Sequence, residues 1–176
     1  MPTLFSHPAV PIALGLAAGS KHIPPRLLLA GIVASVVPDL DVLSFRLGIN
    51  YGSDMGHRGF THSLVFALLL ATLAAIWSHR LKARKSAAFL FILLATASHG
   101  LLDMITNGGK GVAFLWPFTS ERFFFPEQVI AVAPLSVKRL FSPAGLPVLV
   151  TEHQWVWLPS LLLVAAIYLG RRWSAR

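Results

Sequence analysis

Long apolar runs separated by short polar connections dominate this sequence, and they predict membrane-spanning helices. The strongest prediction covers residues 64–78, and the other runs are residues 87–102, 155–169, 27–43 and 4–19. The run at 27–43 is interrupted near its end by Pro38-Asp39. Each run is shorter than the ~20 residues of a full span, so we expect helices that continue out of the hydrocarbon. The pattern predicts an all-α, polytopic membrane bundle of about four to five helices.

The composition agrees with a membrane environment. Of the 176 residues, 55% are hydrophobic and only 12% are charged, whereas soluble domains carry about 25% charged residues. The length suits one domain, so we predict a single integral-membrane domain over residues 1–176. The sequence has no cysteine, which excludes disulfides, cysteine-ligated zinc and thiol nucleophiles.

The net charge of +8 comes from 15 basic and 7 acidic residues, and the densest basic clusters flank the apolar runs. One cluster lies between two runs and another follows the last run; together they contain Arg80, Lys82, Arg84, Lys85, Arg171, Arg172 and Arg176. Basic residues in such places set the orientation of the helices and contact anionic headgroups. Nucleic-acid binding requires a basic stripe with interleaved polar and aromatic residues, so we expect no nucleic-acid partner.

These basic clusters predict which face of the membrane is cytoplasmic. Lys21 and Arg26 fall on the same predicted face as the two clusters, and the positive-inside bias places that face in the cytoplasm. The N-terminus and the loops 44–60 and 106–152 then lie on the opposite side. The second loop is rich in Gly, Pro and Phe, and we predict a cap or re-entrant segment there.

Histidines and aspartates accumulate on that opposite, extracytoplasmic face. Four helix ends that are distant in sequence supply candidate metal ligands there: His7, Asp39, Asp41, His57, His62, His99 and Asp103. Glu152 and His153 fall on the same side, whereas His22 and His79 fall on the cytoplasmic side. Nitrogen and oxygen ligands without thiolate suit Zn²⁺, Mn²⁺ or Fe²⁺. Seven ligands exceed the needs of one tetrahedral ion, so two ions fit, as does one ion with supporting residues.

His99 and Asp103 are spaced four residues apart in a predicted helix. This spacing places both side chains on one face, one turn apart, so both can reach one ion. An unpaired aspartate at mid-membrane costs about 2.5–3.5 kcal/mol, so Asp103 needs a partner. A His–Asp hydrogen bond that joins two helices explains the pair equally well.

Asp39 and Asp41 lie two residues apart at a predicted helix end. Close carboxylates repel each other, and a divalent cation removes this repulsion. The alternative is that one of them caps the following segment.

His57 and His62 flank a glycine-containing turn that leads into a helix. Neutral imidazole is a good ligand for zinc and similar ions. A helix N-terminus favours an anion such as phosphate, to which Arg58 can donate two hydrogen bonds. Thr61 is the predicted N-cap of this helix; the alternative is that Thr61 and Ser63 are ordinary caps and the histidines are interfacial.

Four sequence blocks match one known family: residues 38–41, 57–63, 98–103 and 111–118, with His7 ahead of them. In these blocks the chain resembles the bacterial membrane-bound metal-dependent hydrolases, the YdjM-like inner-membrane proteins. The resemblance covers residues 7–125. It implies a multi-pass protein of the bacterial inner membrane. With the orientation predicted from the basic residues, the metal site then lies on the periplasmic side.

The resemblance also implies hydrolysis with one or two divalent ions, zinc first, which lower the pKa of bound water toward about 7. The His/Asp pattern is similar to that of zinc-dependent phospholipases C, so we expect a phospholipid or another phosphate-bearing lipid as substrate. We assign Arg58 to the phosphoryl oxygens, Asp41 to general base catalysis, and His62 to both the metal and catalysis. Trp116 and residues 123–125 are candidates for packing against acyl chains, and buried or interfacial packing is the favoured alternative for any single aromatic.

Two other functions fit the same cluster. A transporter of metal ions or small solutes predicts polar residues through the whole bilayer depth, whereas the cytoplasmic halves of the runs are apolar apart from Ser and Thr. A non-catalytic membrane scaffold predicts that the purified protein carries no stoichiometric metal. The sequence leaves the oligomeric state open.

Overall fold

The structure is a computed structural model that describes residues 1–134 and 136–174. Its α-helices are α1 (Ala9–Ala18), α2 (Pro25–Ala34), α3 (Leu64–Ile76), α4 (Lys85–Met104), α5 (Val137–Leu140), α6 (Leu146–Glu152) and α7 (Leu158–Ser174). Short 3-10 helices cover Val37–Leu47, Phe60–His62 and Pro143–Gly145, and a π-helix covers His153–Trp157. The described residues contain no β-strand, which confirms the predicted all-α bundle. Arg176, predicted on the cytoplasmic face, lies outside the described residues.

Three continuous helical segments are long and apolar enough to cross a membrane: Pro25–Leu47, Lys85–Met104 and Pro143–Trp173. They contain three of the five predicted runs. The other two form the shorter helices Ala9–Ala18 and Leu64–Ile76. The strongest sequence prediction, at 64–78, thus becomes a helix of 13 residues, which is shorter than a full span.

The two ends of α3 explain its shortness. Ser63 is the N-cap, and its hydroxyl accepts a hydrogen bond from the Phe66 N–H at 3.1 Å. The prediction that Thr61 caps this helix was therefore wrong; the Thr61 hydroxyl donates to Asp41 instead, at 2.7 Å. After Ile76 the chain turns sharply into α4.

Proline sets both ends of α2. Pro25 occupies the first turn of the helix, where a missing N–H costs nothing. Pro38 cannot donate to the helix, and from Val37 the chain continues as a tight 3-10 segment that ends at Gly48, which has a φ of 70°. The break predicted at Pro38-Asp39 is thereby confirmed, and it places Asp39 on a tight turn.

Small side chains let the central helices approach closely. Ala67, Ala71 and Ala74 form the buried face of α3, and this face packs against α4. A Cβ on Gly31 of α2 would lie 2.3 Å from a ring atom of Phe91 in α4. Close backbone approach through small residues is typical of membrane helices, and here it makes α4 the centre of the bundle.

The basic connections meet at one end of the bundle. Arg26 donates to the Arg80 carbonyl at 3.2 Å, joining the start of α2 to the α3–α4 turn. Lys21 and Lys82 line one small cavity, and a Cβ on Gly19 would lie 3.7 Å from Arg171 Nη1. The histidines and aspartates described below lie at the other end.

The segment after α4 packs along that other end, and its described residues, 105–134 and 136–142, form no spanning helix. The Phe125 N–H donates to the Met104 carbonyl at 3.0 Å, and the Leu64 N–H donates to the Phe114 carbonyl at 2.9 Å. These bonds attach the segment to the end of α4 and to the start of α3, and so position it beside the candidate site.

Candidate metal centre

Four buried side chains converge between the 3-10 helices and α4. Each offers one possible ligand atom, and these atoms all lie within 4.8 Å of one another; the residues are Asp39, His62, His99 and Asp103. They come from three separate elements: the Val37–Leu47 segment, the Phe60–His62 turn and the end of α4. The predicted convergence of residues distant in sequence is therefore found in the fold.

The spacing of these atoms matches that of ligands around one ion. His62 Nε2 lies 3.0 Å from His99 Nε2 and 3.3 Å from Asp103 Oδ2. Asp39 Oδ1 lies 3.4 Å from His99 Nε2 and 3.8 Å from His62 Nε2. Ligands held at 2.0–2.2 Å around a tetrahedral zinc are separated by about 3.4 Å. The set therefore fits a tetrahedral ion at its centre.

A backbone carbonyl sets the orientation of the His99 ring. Its Nδ1 lies 2.7 Å from the Ser35 carbonyl oxygen, which can only accept, so Nδ1 carries the proton. Nε2 then presents its lone pair to the other three side chains and lies 3.0 Å from His62 Nε2. A histidine whose second nitrogen donates to a carbonyl is the usual arrangement of a metal ligand.

Asp41 orients His62 in the same way. Oδ2 of Asp41 lies 3.1 Å from His62 Nδ1 and also accepts the Thr61 hydroxyl at 2.7 Å. Burial alone would lower the pKa of His62, but the surrounding carboxylates, Asp103 foremost, raise it well above its usual value. His62 is thus a positively charged hydrogen-bond donor until a cation replaces its proton.

His7 completes the cluster from the N-terminal segment. Its ring stacks on that of His99 with centroids 3.7 Å apart, and its Nε2 lies 3.7 Å from Asp39 Oδ2 and 4.0 Å from Asp103 Oδ1. Burial and the neighbouring His99 lower the pKa of His7 to about 3. The ring is therefore neutral at neutral pH, which is the form that binds metals.

Several polar atoms in this cluster are buried without a hydrogen-bond partner among the described residues. They are both ring nitrogens of His7, both carboxylate oxygens of Asp39 and both of Asp103. Buried polar atoms are nearly always paired in native proteins. A shared divalent cation would satisfy the oxygens and one nitrogen together, so the donor set fits a metal by chemistry as well as by spacing.

Arg58 lies beside Asp103 at the edge of the cluster. It is fully buried, and its Nε lies 3.0 Å from Asp103 Oδ2, while Nη1 donates to the Gly108 carbonyl at 2.5 Å. Its Nη2 has no hydrogen-bond partner in the described chain. The φ of 62° at Arg58 is rare for a residue with a side chain, and the backbone N–H donates to Asp41 at 3.0 Å.

His57 lies in a second group that shares His62 with the first. This group consists of Asp41, His57 and His62, and His57 Nδ1 makes a short contact with Asp41 Oδ1. The His57 ring packs edge-on against Tyr51, with centroids 5.3 Å apart. The structure thus places six of the seven predicted ligands in two groups joined through the His62 imidazole, and His7 stacks on His99 beside the first group.

The sequence motifs did not identify Thr3 as a residue that positions the site. Its N–H and hydroxyl both donate to the Glu152 carboxylate, the latter bond at 2.7 Å. Thr3 and Glu152 are buried, and they attach the segment that carries His7 to the end of α6. A buried glutamate inside an apolar helix was the available signal, because such a group needs a partner.

Four further residues named in the sequence analysis are described by the structure. Trp116 packs edge-on against Phe60, with centroids 5.0 Å apart, and the Phe125 backbone N–H donates to the Met104 carbonyl while its side chain is 40% exposed. His153 is exposed. His22 lies at the basic end, with its Nδ1 3.2 Å from the Ala18 carbonyl oxygen.

Comparison with known proteins agrees with this architecture. A family model described as YdjM inner membrane protein matches residues 1–176. The chain is 50% identical over 173 residues to "Inner membrane protein YbcI" of Escherichia coli (strain K12), covering 98% of this chain and 100% of that relative. No solved structure matches. The family match continues beyond residue 125, where the sequence resemblance ended, and includes Glu152. The chain therefore belongs to the YdjM inner membrane protein family.

Proposed function

We propose that this protein is a membrane-embedded, metal-dependent hydrolase that acts on a phosphoester bond of a phosphate-bearing lipid. The observation that carries the proposal is the four-residue cluster, with ligand atoms within 4.8 Å of one another and with both Asp39 oxygens buried without a hydrogen-bond partner among the described residues. Buried charge of this kind in a membrane protein marks a functional site.

In this proposal Asp39, His62, His99 and Asp103 hold one divalent ion, and His7 is a fifth ligand or a support. When bound, the ion supplies Lewis acidity and a water with a pKa near about 7. Imidazole and carboxylate ligands without thiolate favour zinc, and Mn²⁺ or Fe²⁺ remain compatible. A second ion would use Asp41 and His57 of the second group, because a neutral His62 ring has one lone pair and gives it to the first ion.

The contacts of Asp41 support a positioning role in catalysis. Its carboxylate contacts the His57 ring, the Arg58 N–H and the Thr61 hydroxyl, besides Nδ1 of His62. With these contacts in place, Asp41 has little remaining capacity to act as a general base. It fixes the direction of the His62 ring, as a second carboxylate does in other metal sites.

Arg58 is placed to hold the phosphoryl group. Its unpartnered Nη2 lies on a guanidinium that already contacts Asp103, so one of its donors remains for an anion. Positive charge that is buried next to the reacting bond stabilises the negative charge that develops during hydrolysis. The Gly108 carbonyl fixes the rest of the side chain.

Transport is less well supported, because the core beneath the cluster is apolar. The hydrophobic core toward the basic end includes Leu27, Ala71, Ala88, Phe91 and Ile92, and Thr96 and Ser78, the buried polar residues of α4 and the α3–α4 turn at this depth, carry no charge. An ion path would need polar side chains through this depth.

Elemental analysis of the purified protein tests the proposal. We expect stoichiometric metal in the wild type and in His79→Ala, an exposed histidine at the basic end, and a loss of most of the metal in His99→Ala and Asp103→Ala. Equal metal content in all four proteins would show that neither His99 nor Asp103 is a metal ligand. Labelled lipid extracts, incubated with metal-loaded protein, then test hydrolysis; metal without release of any phosphate-bearing product would favour the scaffold or transporter functions.

A further inference from the structure

An apolar cavity of about 480 Å³ adjoins the metal cluster at Asp39. Its walls come from the N-terminal segment, from the turn around Val36 to Val42 and from Leu140. Ligand pockets in proteins are usually about 300–1,000 Å³, so the space suffices for part of a molecule. Asp39 contributes to the wall, and the same carboxylate faces His99 in the cluster.

The walls of the cavity are mainly apolar. Leu4, Phe5, Val36, Leu40 and Val42 surround the space. Among the described residues that line it, the ones with an ionisable group are Asp39 and the N-terminal Met1, whose amino group lies 4.0 Å from Asp103 Oδ1. A water-soluble phosphoester would leave this surface without a suitable partner. A hydrocarbon chain matches it.

The mouth of the cavity is continuous with the outer surface of the bundle. Leu4 is 49% exposed, Phe5 64% and Leu40 60%. Leu40 belongs to the segment Pro25–Leu47, which is apolar enough to span a membrane. Exposed apolar side chains that continue into a membrane-spanning surface contact lipid, so a lipid chain can reach the cavity without crossing water.

We infer that this cavity holds one hydrocarbon chain of the lipid substrate and thereby presents the phosphoester to the metal cluster at Asp39. The inference rests on the proposed function, because it assigns the substrate of that same site. Lipid hydrocarbon is as apolar as the cavity walls, so the chain gains little affinity from burial alone. Its contribution is orientation, which brings the polar end of the lipid to the reacting groups.

Photolabelling in lipid nanodiscs of phosphatidylcholine tests this inference without hydrolysis. The probe is a long-chain alkylphosphonate with a diazirine at the end of its chain, which the proposed reaction does not cleave. We expect its adducts to map to residues 1–5 and 36–42 and to Ala133, Pro134 and Leu140. Excess dodecylphosphonate should abolish them, and methylphosphonate, which lacks the chain, should not. Adducts spread evenly over the lipid-facing surface, including α7, would overturn the inference.

Substitutions in the walls sharpen the test. Val42→Trp fills the cavity and should lower the adduct yield at least ten-fold, with the metal content retained. Leu43→Trp is the matched control, because Leu43 is 53% exposed and lies next to the cavity-lining residue. Ala133→Trp fills the space from the opposite wall and replaces Val42→Trp if that variant loses its metal. Unchanged labelling in the metal-retaining variant would contradict the inference.

A photoreactive side chain at the mouth identifies the occupant directly. Leu40→p-benzoylphenylalanine should form adducts with lipid; adducts with a second copy of the chain or with another protein would overturn the inference. The results also separate the two proposals. Localised labelling without any hydrolysis would support the binding site for a hydrocarbon chain and contradict the hydrolase activity. Hydrolysis of short phosphoesters without localised labelling would support the hydrolase activity and contradict the chain-binding site.

Discussion

At the scale of single residues, the two aspartates of the Asp39-Leu40-Asp41 motif have different environments. Asp39 has no hydrogen-bond partner for either oxygen in the described chain, whereas Asp41 makes hydrogen bonds to three neighbouring residues. The first arrangement fits a metal ligand, and the second fits a group that orients one. Two carboxylates that look equivalent in the sequence therefore have separable roles.

Substitution of each aspartate by asparagine separates these roles. We expect Asp39→Asn to lose most of the bound metal, because a charged ligand disappears. Asp41→Asn should keep the metal at saturation but weaken its affinity by about 10–100-fold, as is usual for supporting residues. Titration against a series of chelators measures both effects. Asp54→Asn, at an exposed aspartate, is the control, and equal losses in Asp39→Asn and Asp41→Asn would contradict the distinction.

The protonation of His62 predicts how metal affinity depends on pH. The pKa of His62 is raised well above its usual value, since the neighbouring carboxylates outweigh the effect of burial. At neutral pH the metal-free ring is therefore protonated, and the proton must leave when a cation binds Nε2. Affinity should fall as pH decreases, by about tenfold per pH unit for each proton displaced.

Calorimetry in buffers of different ionisation enthalpy measures this release. The binding heat should vary with the buffer in the wild type and in the control His79→Gln. The variation should be smaller in His62→Gln. A heat that is independent of the buffer in the wild type would show that no proton is displaced.

At the scale of elements, the N-terminal segment is positioned by α6. Both donors of Thr3 bind the Glu152 carboxylate, and four residues later His7 stacks on His99. The π-helix His153–Trp157 follows immediately, and such irregular turns occur often at functional sites. Removal of the Glu152 charge should therefore disturb His7, a candidate metal ligand that the Glu152 side chain does not reach itself.

Glu152→Gln tests this coupling. The amide keeps the shape but offers one acceptor oxygen, and hydrogen bonds to a charged group contribute about 1.5–3 kcal/mol. We expect hydrogen exchange to accelerate at the amides of residues 3–9 and metal affinity to fall, as in His7→Gln. Glu127→Gln, at an exposed glutamate, should change neither. Normal protection of residues 3–9 in Glu152→Gln would show that this pair does not hold the segment.

The apolar pattern of the sequence predicts which elements are helical more reliably than where they end. Each apolar run forms a helix, because hydrophobicity acts over many residues. The start of α3 depends on one hydroxyl, and Ser63 and Thr61 are equally suitable by residue type. The structure gives the cap to Ser63 because Asp41 engages Thr61. Such a choice is made by a tertiary contact, which local sequence does not contain.

At the scale of the whole molecule, the sequence predicts which residues form the site but not how their side chains are arranged around one another. Because consecutive helices run in opposite directions, every second connection lies at the same end of the bundle. The order of the helices along the chain therefore predicts that His7, Asp39, His62 and His99 lie at one end. Their pairing depends on contacts between distant backbones, such as the Ser35 carbonyl at His99. The distinction between the two groups around His62 arises from the same long-range packing.

The separation of charge along the bundle predicts its orientation in the membrane. Arg26, Arg80 and Lys82 belong to the end opposite the His/Asp cluster, and basic ends face the cytoplasm. We therefore propose that the metal cluster faces the periplasm. The absence of cysteine in the natural sequence permits a direct test with single introduced thiols.

Lys82→Cys and Lys138→Cys form a matched pair, because each replaces an exposed lysine and they lie at opposite ends of the bundle. A membrane-impermeant maleimide, added to cells whose outer membrane has been opened, should label Lys138→Cys at once. It should label Lys82→Cys only after the inner membrane is permeabilised. The reverse pattern would place the His/Asp cluster at the cytoplasmic leaflet. That result would not change the assignment of the metal ligands. It would mean that the cavity at Asp39 opens to the inner leaflet, because the orientation of the protein decides which leaflet supplies its lipid substrate.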